Sequence, residues 1–567
     1  PSIVELARAL RNDPQLIFEH VYNNVEWEPG WGVQKGGLGC LIDGMGNSFD
    51  QSMLLVELLR QAGFTADYVL GTLTLTETQT TDWFNTAHIF ASYYYVTYAN
   101  IPAVFPVWNG SEYTMDMNHV WVQVVVGGNT YVLDPSFKSY TRTAPVANLG
   151  TILGYNAATF LSNAQSGATI DGSGNFVQNM NTANINTDLT TMSTNLTTWI
   201  KANMPTANMD DILGGESVVL ITLPFPWSSS RPYQRVGDVP TIWTTDVPLA
   251  YKTTLQVQFD WNGTGYNIDQ TFTSDQLAGK RLTLSSNGSL QPILSLDGTV
   301  LQTGAVQGAG TWQSALLTVN HNAYAFPVYP QQWFQQFIYA EQFYLIGNAW
   351  GNLGPGQANY HQKLLTQAIA DPVSTSEQVN GELTSYLWFN LVSQASRVAD
   401  LVGRLTATHM NFFHQVGIVS YTYDVTNQEC SGATDIGGVS GFSSTLDYDF
   451  TKLAVANTVI AMHGVALEAA VLSQYTGKPP GVSTTTVIDA ANTAGDKIYK
   501  GTSTNWNTGA NISATLIANG YNSTDMGNIY TNYLASGGSS VVLSENPNQT
   551  IGPWSASGDW IFPTYSN

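Results

Sequence analysis

Residues 46–64, GNSFDQSMLLVELLRQAGF, constrain the fold more than any other stretch. Phe49, Ser52, Leu55, Leu59 and Ala62 recur at helical spacing, with Leu54 and Leu58 beside them. Gly63 stands where a helix ends in a left-handed residue. The spacing predicts a helix from about Ser48 to Ala62. TADYVLGTLTL then alternates as a strand. Further on, residues 118–136 read NHVWVQVVVGGNTYVLDPS, two strands around a Gly-Gly-Asn turn, which is a strong hairpin signal.

That hairpin places chemistry. His119 and Asp134 lie a similar number of residues from the turn, so they are expected nearly opposite one another on paired strands. Opposed side chains on one face have β-carbons ~4.5–5.5 Å apart. A carboxylate there can accept from one ring nitrogen and fix the tautomer. A helix N-terminus aimed at the other nitrogen would supply a nucleophile, and Ser48 occupies that position. A hydroxyl gains far less from a helix dipole than a thiol, whose pKa can fall from ~8.5 to ~3.5. Asp50, in the same first turn, opposes an alkoxide. Ser48 therefore reads chiefly as an N-cap.

These motifs resemble the transglutaminase-like superfamily of papain-type cysteine enzymes. In that family a Cys opens the helix, a His lies on a following strand, and an Asp, usually followed by Pro, lies on the next. The resemblance implies Ser48, His119 and Asp134 as the triad positions, with Ser in place of the Cys. The longer stretch FEHVYNNVEWEPGWGVQKGGLGCLIDGMGNSFDQSMLLVELLRQAGF resembles the region found ahead of Rhs/YD repeats in large bacterial surface proteins. There, as the resemblance implies, the position after Gly-Asn commonly carries another residue than Cys. LSLDGTVLQTG, VGIVSYTYDVT and VANTVIAMHGVALEAAVLSQ extend the likeness more weakly, and the repeats themselves are absent.

The remaining chain reads as further modules. With 567 residues, three or four domains are expected at ~100–200 residues each. The expected segments are a transglutaminase-like domain at 1–145 and an Asn/Thr-rich helical connector at 146–215. A β-sandwich-like domain follows at 216–322, then an aromatic-rich and helical region at 323–475, with a buried helix over 451–474. A mixed α/β module spans 476–567. The fold class is α+β, multi-domain. Residues 30–47 read as a glycine-rich loop.

Composition narrows the function. Lys and Arg total 19 against 41 Asp and Glu, a formal charge of −22. Such a chain repels a phosphate backbone, so nucleic acid is not an expected partner. Charged residues are 11%, under half the ~25% of an ordinary soluble domain, with Thr, Asn, Gly and Ser in their place. That balance suits an extracellular or cell-surface protein. No run of ~18 apolar residues predicts a membrane span. Cys40 and Cys430 allow either a disulfide or two free thiols. Cys40, eight residues before Ser48, reads as structural rather than as a second nucleophile. His409 and His414 read as satisfied histidines, Asp171 as a turn residue, and no cofactor or metal site is expected.

The sequence thus favours a secreted or cell-surface structural or interaction protein carrying a degenerate transglutaminase-like domain. The expected partners are other protein chains, in self-assembly or a larger complex. A hydrolase or acyltransferase using Ser48, His119 and Asp134 is the first alternative. A pseudoenzyme binding a peptide or glycan is the second.

Overall fold

The computed structural model describes residues 2–321, 330–339, 342–424, 429–447, 449–476, 482–535, 540–551, 554–556 and 562–564. The protein is mixed α/β with several separate sheets. Two compact units emerge. The first comprises Pro1–Thr141, Ser217–Gly403 and Ala407–Asp449; the second comprises Arg142–Glu216, Arg404–Thr406 and Phe450–Asn567. The units do not follow the expected segments, because residues far apart in sequence build the first one.

That unit opens with α1 (Ile3–Ala9) and α2 (Pro14–Asn24). Asp13 caps α2, its carboxylate accepting from the N–H groups of Gln15 and Leu16, with Pro14 at the first helical position. The expected glycine-rich loop contains a helix, α3 (Gly36–Asp43). Its low propensity is overridden by packing. A side chain at Gly37 would run into Glu57, and one at Gly39 would crowd Lys35 and Ala278. Next comes α4 (Ser48–Gln61), buried along nearly its whole length.

β1 (Thr65–Thr76) follows α4, then α5 (Glu77–Phe84) and α6 (Ile89–Tyr98). The hairpin is β2 (Tyr113–Val126) and β3 (Asn129–Leu133). Gly127 and Gly128 have φ of 59° and 82°, the two successive positive values that a tight hairpin turn matching strand twist requires. β1 pairs antiparallel with β2 over twelve residues, Thr65 opposite Val125 through Thr76 opposite Thr114. The free edge of β1 is covered by β4 (Thr241–Trp243). Leu54, Leu55, Leu58 and Leu59 of α4 and Val120, Val122 and Val124 of β2 share one apolar core.

Two larger sheets also belong to this unit. One runs in the order β6 (Tyr266–Thr273), β5 (Thr253–Trp261), β10 (Trp312–His321), β11 (Gln331–Tyr339). The other runs β9 (Thr299–Thr303), β8 (Pro292–Leu296), β7 (Leu282–Ser286), β12 (Tyr344–Trp350), β13 (Thr408–Asp424), β14 (Glu429–Thr445). Leu255, Val257 and Leu317 from the first and Leu284, Leu294 and Ile346 from the second bury against each other in one cluster. Strands as late as Thr408–Asp424 thus belong with those near residue 290.

In the second unit, Thr182–Asn203 forms the helix expected near 188–203. Phe450–Thr476 is also helical, but it is not the buried helix expected. Within Phe450–Leu467 only Ala456 is buried. Apolar residues on all its faces made it read as core. That 18-residue window, with mean hydropathy 1.3, is long and apolar enough to cross a membrane by length and composition. Much of the aromatic stretch at 324–345 lies outside the described residues, although Tyr344 is in the core.

Candidate functional site

Ser48 is the first residue of α4 but not its cap. Asn47 caps the helix, its side-chain oxygen accepting from the N–H groups of Phe49 at 2.9 Å and Asp50 at 3.1 Å. The Ser48 hydroxyl is thereby left free to turn toward β2. The expectation of Ser48 as N-cap is corrected by one position. Ser and Asn cap equally well, and the neighbouring Asn47 also holds Gly32 O through its amide.

The structure brings the three expected site residues together. Ser48 Oγ lies 3.2 Å from His119 Nδ1, and His119 Nε2 lies 2.9 Å from Asp134 Oδ2. His119 sits in β2 opposite Gly71 of β1. The β2–β3 ladder ends at Val122 opposite Leu133. Asp134 is therefore a diagonal neighbour of His119 rather than its direct opposite, and the two side chains span the step. Asp134 Oδ1 accepts from Ser136 N at 3.0 Å, Phe137 N at 3.2 Å and Ser136 Oγ at 2.9 Å. The turn after Asp134-Pro135 thus holds the carboxylate in place.

Three further groups shape the site and were missed from sequence. Arg231 Nη2 lies 2.6 Å from Asp134 Oδ2. Both side chains are buried, and the guanidinium sits against the rings of Phe137 and Tyr233. The contact is Coulombic rather than an aligned hydrogen bond. Trp27 Nε1 donates to Ser48 Oγ at 3.4 Å, and Trp83 meets His119 edge-on at 5.4 Å between centroids. Trp27, Trp83, Phe84 and Tyr95 form one aromatic group over the hydroxyl. Ser48 is 6% exposed and His119 1%. Arg231 carries no local signal, being 97 positions from Asp134 in sequence. Ser136 was readable as part of the Asp-Pro-Ser turn.

Burial alone would raise the Asp134 pKa. Arg231 and His119, with the Ser136 N–H, more than offset it and hold the carboxyl well below the usual carboxylate range. Asp50, fully buried in the first turn of α4, goes the other way. Burial pushes it up to about 7, only partly offset by the N–H groups of Lys35 and Gly36. Its Oδ1 accepts from Gln34, Lys35 and Gly36 at 2.8–3.0 Å, while Oδ2 is buried without a partner among the described residues. Lys35 contacts Asp43 at 2.6 Å and Glu28 at 2.8 Å, and these carboxylates hold its proton against the effect of burial.

Cys40 is buried and free, and burial, with Asp50 adding, pushes its thiol pKa up. A thiol so placed is inert. Cys430 lies on β14, where its side chain is outside the described residues. His409 and His414 lie on β13, not on a helix, and burial, with His321, lowers the His414 pKa to about 3. Asp171 holds a turn through Ser173 N and Asn175 N. Among the described residues no group of three His, Cys, Asp or Glu side chains could hold a metal.

Chemically, the relay places a hydroxyl, an imidazole and a carboxylate in the order needed for acyl transfer. Its carboxylate, however, is shared with a guanidinium. Comparison with family models, with curated proteins and with solved structures finds no match.

Proposed function

We propose that this chain is a secreted or cell-surface bacterial protein with a structural or interaction role, carrying a transglutaminase-like module that no longer transfers acyl groups. The observation that carries this reading is Arg231 at 2.6 Å from Asp134, beside a hydroxyl that is almost fully covered. In an acting triad the carboxylate stabilises the imidazolium formed when the base takes a proton. Here a fixed cation already draws on that charge. Serine, unlike cysteine, needs a carboxylate free to support its base. The adjoining sheets, with one shared apolar core, support a β-sandwich behind this module. The charge of −22 and the Thr- and Asn-rich composition support an exterior location.

The test is amine incorporation and peptide cleavage by the full chain, Ser48→Ala and Ser48→Cys. We expect no turnover from the first two. Activity in the chain that vanishes in Ser48→Ala would refute the reading. Activity gained in Ser48→Cys would establish that the remaining geometry is competent.

The second reading is a hydrolase or acyltransferase. Its specific support is the paired spacing of 3.2 Å and 2.9 Å through both nitrogens of His119.

A further inference from the structure

Away from Ser48, the first unit holds a second feature built around Asp260, the next-to-last residue of β5. Its φ is 64°, a left-handed conformation that residues other than glycine adopt infrequently. It is 3% exposed. Oδ1 accepts from Gln307 Nε2 at 2.9 Å and Gln313 Nε2 at 3.0 Å; Oδ2 accepts from Asn267 Nδ2 at 2.9 Å and from Ala305 N. All four donors are neutral, so a buried carboxylate is being used to hold amide side chains in place.

A second irregularity faces it. The β5–β10 ladder stops at Gln258 opposite Leu316, and the β10–β11 register shifts between Gln313 and Ala315. Two residues of β11 there oppose Ser314 alone, so the extra residue belongs to β11. Where the β5–β10 ladder has ended, Gln313 and Ser314 line one open pocket of about 450 Å³ together with Trp261 and Tyr266, within the ~300–1,000 Å³ of small-molecule sites. Bulges commonly re-aim side chains at functional places, and strained residues cluster there too.

The chemistry of the wall selects a ligand. Trp261 is 56% exposed, and the Tyr266 ring stands edge-on to it at 5.0 Å. Both N–H bonds of the Gln313 amide are spent, on Asp260 Oδ1 and on Gln307 Oε1 at 2.7 Å. Its Oε1 is buried with no partner among the described residues, and Ser314 lines the pocket beside it. The site therefore offers a flat apolar face next to a small polar wall. An anion is disfavoured by the charge of −22. An extended peptide would ask for N–H donors as well, and those of Gln313 are taken. A sugar ring has an apolar C–H face and a rim of hydroxyl donors.

We propose that this pocket binds a neutral, hexopyranose-based glycan. One ring lies on Trp261, with its rim hydroxyls against Gln313 and Ser314. Asp260 is a positioning residue, holding the amide through a hydrogen bond.

The test titrates the full chain with cellohexaose, maltohexaose, chitohexaose and a neutral Gly/Ser peptide, by saturation-transfer NMR and calorimetry. We expect at least one oligosaccharide to bind. Trp261→Ala should weaken it at least tenfold, with Trp261→Phe in between, and Gln313→Leu should weaken it too. Trp108→Ala, removing an equally exposed indole at 55%, should leave binding unchanged. Trp261 is at the surface, so its variants should keep the thermal midpoint of the parent chain. No binding at millimolar sugar, binding that survives Trp261→Ala, or binding of the peptide alone would overturn the proposal.

Discussion

Two buried carboxylates near Ser48 are held in opposite ways, and each makes a measurable claim. Asp134 keeps its charge because Arg231 sits beside it. Removing one partner of a buried ion pair typically costs ~3–5 kcal/mol. Arg231→Met should therefore destabilise the chain by about 3 kcal/mol in urea denaturation, toward the low end because Ser136 and Phe137 still donate to the carboxylate. Asp50 has its pKa raised from 3.8 to about 7, so the folded chain binds that proton more tightly than the unfolded chain. Its contribution is fully present below about pH 4 and is lost as pH climbs through about 7. Asp134, with its pKa lowered, contributes above about pH 4, and that is lost as the pH falls below it. Asp50→Asn keeps an acceptor for the three N–H groups and removes the first dependence. Between pH 5 and 8 the variant should lose less stability than the parent, by on the order of 2–3 kcal/mol. Melting curves across that range decide it, and parallel curves would show that Asp50 stays ionised throughout. Ser48, His119 and Asp134 were legible because helix and hairpin periodicity carry register. Arg231 was not, because only tertiary packing brings residue 231 to residue 134.

Helix α4 shows how local signals divide. Its length and its end at Gly63 follow from apolar spacing and a left-handed stop, and both are read from sequence. Its start at Ser48 is read as well, but its cap was misplaced by one residue, because Asn47 and Ser48 are equivalent cap formers and only the fold chooses between them. The choice matters chemically: with Asn47 as cap, the Ser48 hydroxyl is available to His119. Asn47→Ala should cost about 1–2 kcal/mol, since two first-turn N–H groups and Gly32 O lose a partner together. Thermal unfolding measures it, and an unchanged midpoint would show that water replaces the cap. Helix α3 was illegible for a different reason. Four glycines in Gly36–Asp43 and its flank favour a loop, and only the close approach of Glu57 and Ala278 makes that composition suitable for a helix.

Segment boundaries drawn along the sequence describe the chain less well than its contacts do. The N-terminal module depends on residues beyond 145: β4 covers the edge of β1, and Asn23 exchanges two hydrogen bonds with Ile221. Arg60 donates to Thr244 O and Thr245 O, and Lys35 to Asn352 O. A fragment of residues 1–145 should therefore lack a cooperative melt, as circular dichroism would record.

The charge of −22 bears on assembly, the central claim of the proposed role. Between subunits of like charge, repulsion reaches ~30 Å at 0.01 M salt and ~8 Å at 0.15 M. A chain built to associate through low-charge surfaces should be held apart at low salt and released to associate as salt rises. Exposed Val455 and Met462, on a helix with one lysine and no acid in its 18-residue window, are surfaces over which little repulsion acts. Light scattering of the full chain should give a mass that rises from 0.01 M to 0.15 M salt, and rises further with a divalent cation. A mass fixed at 61.5 kDa under all three conditions would leave a monomer, and with it the scaffold reading would fall.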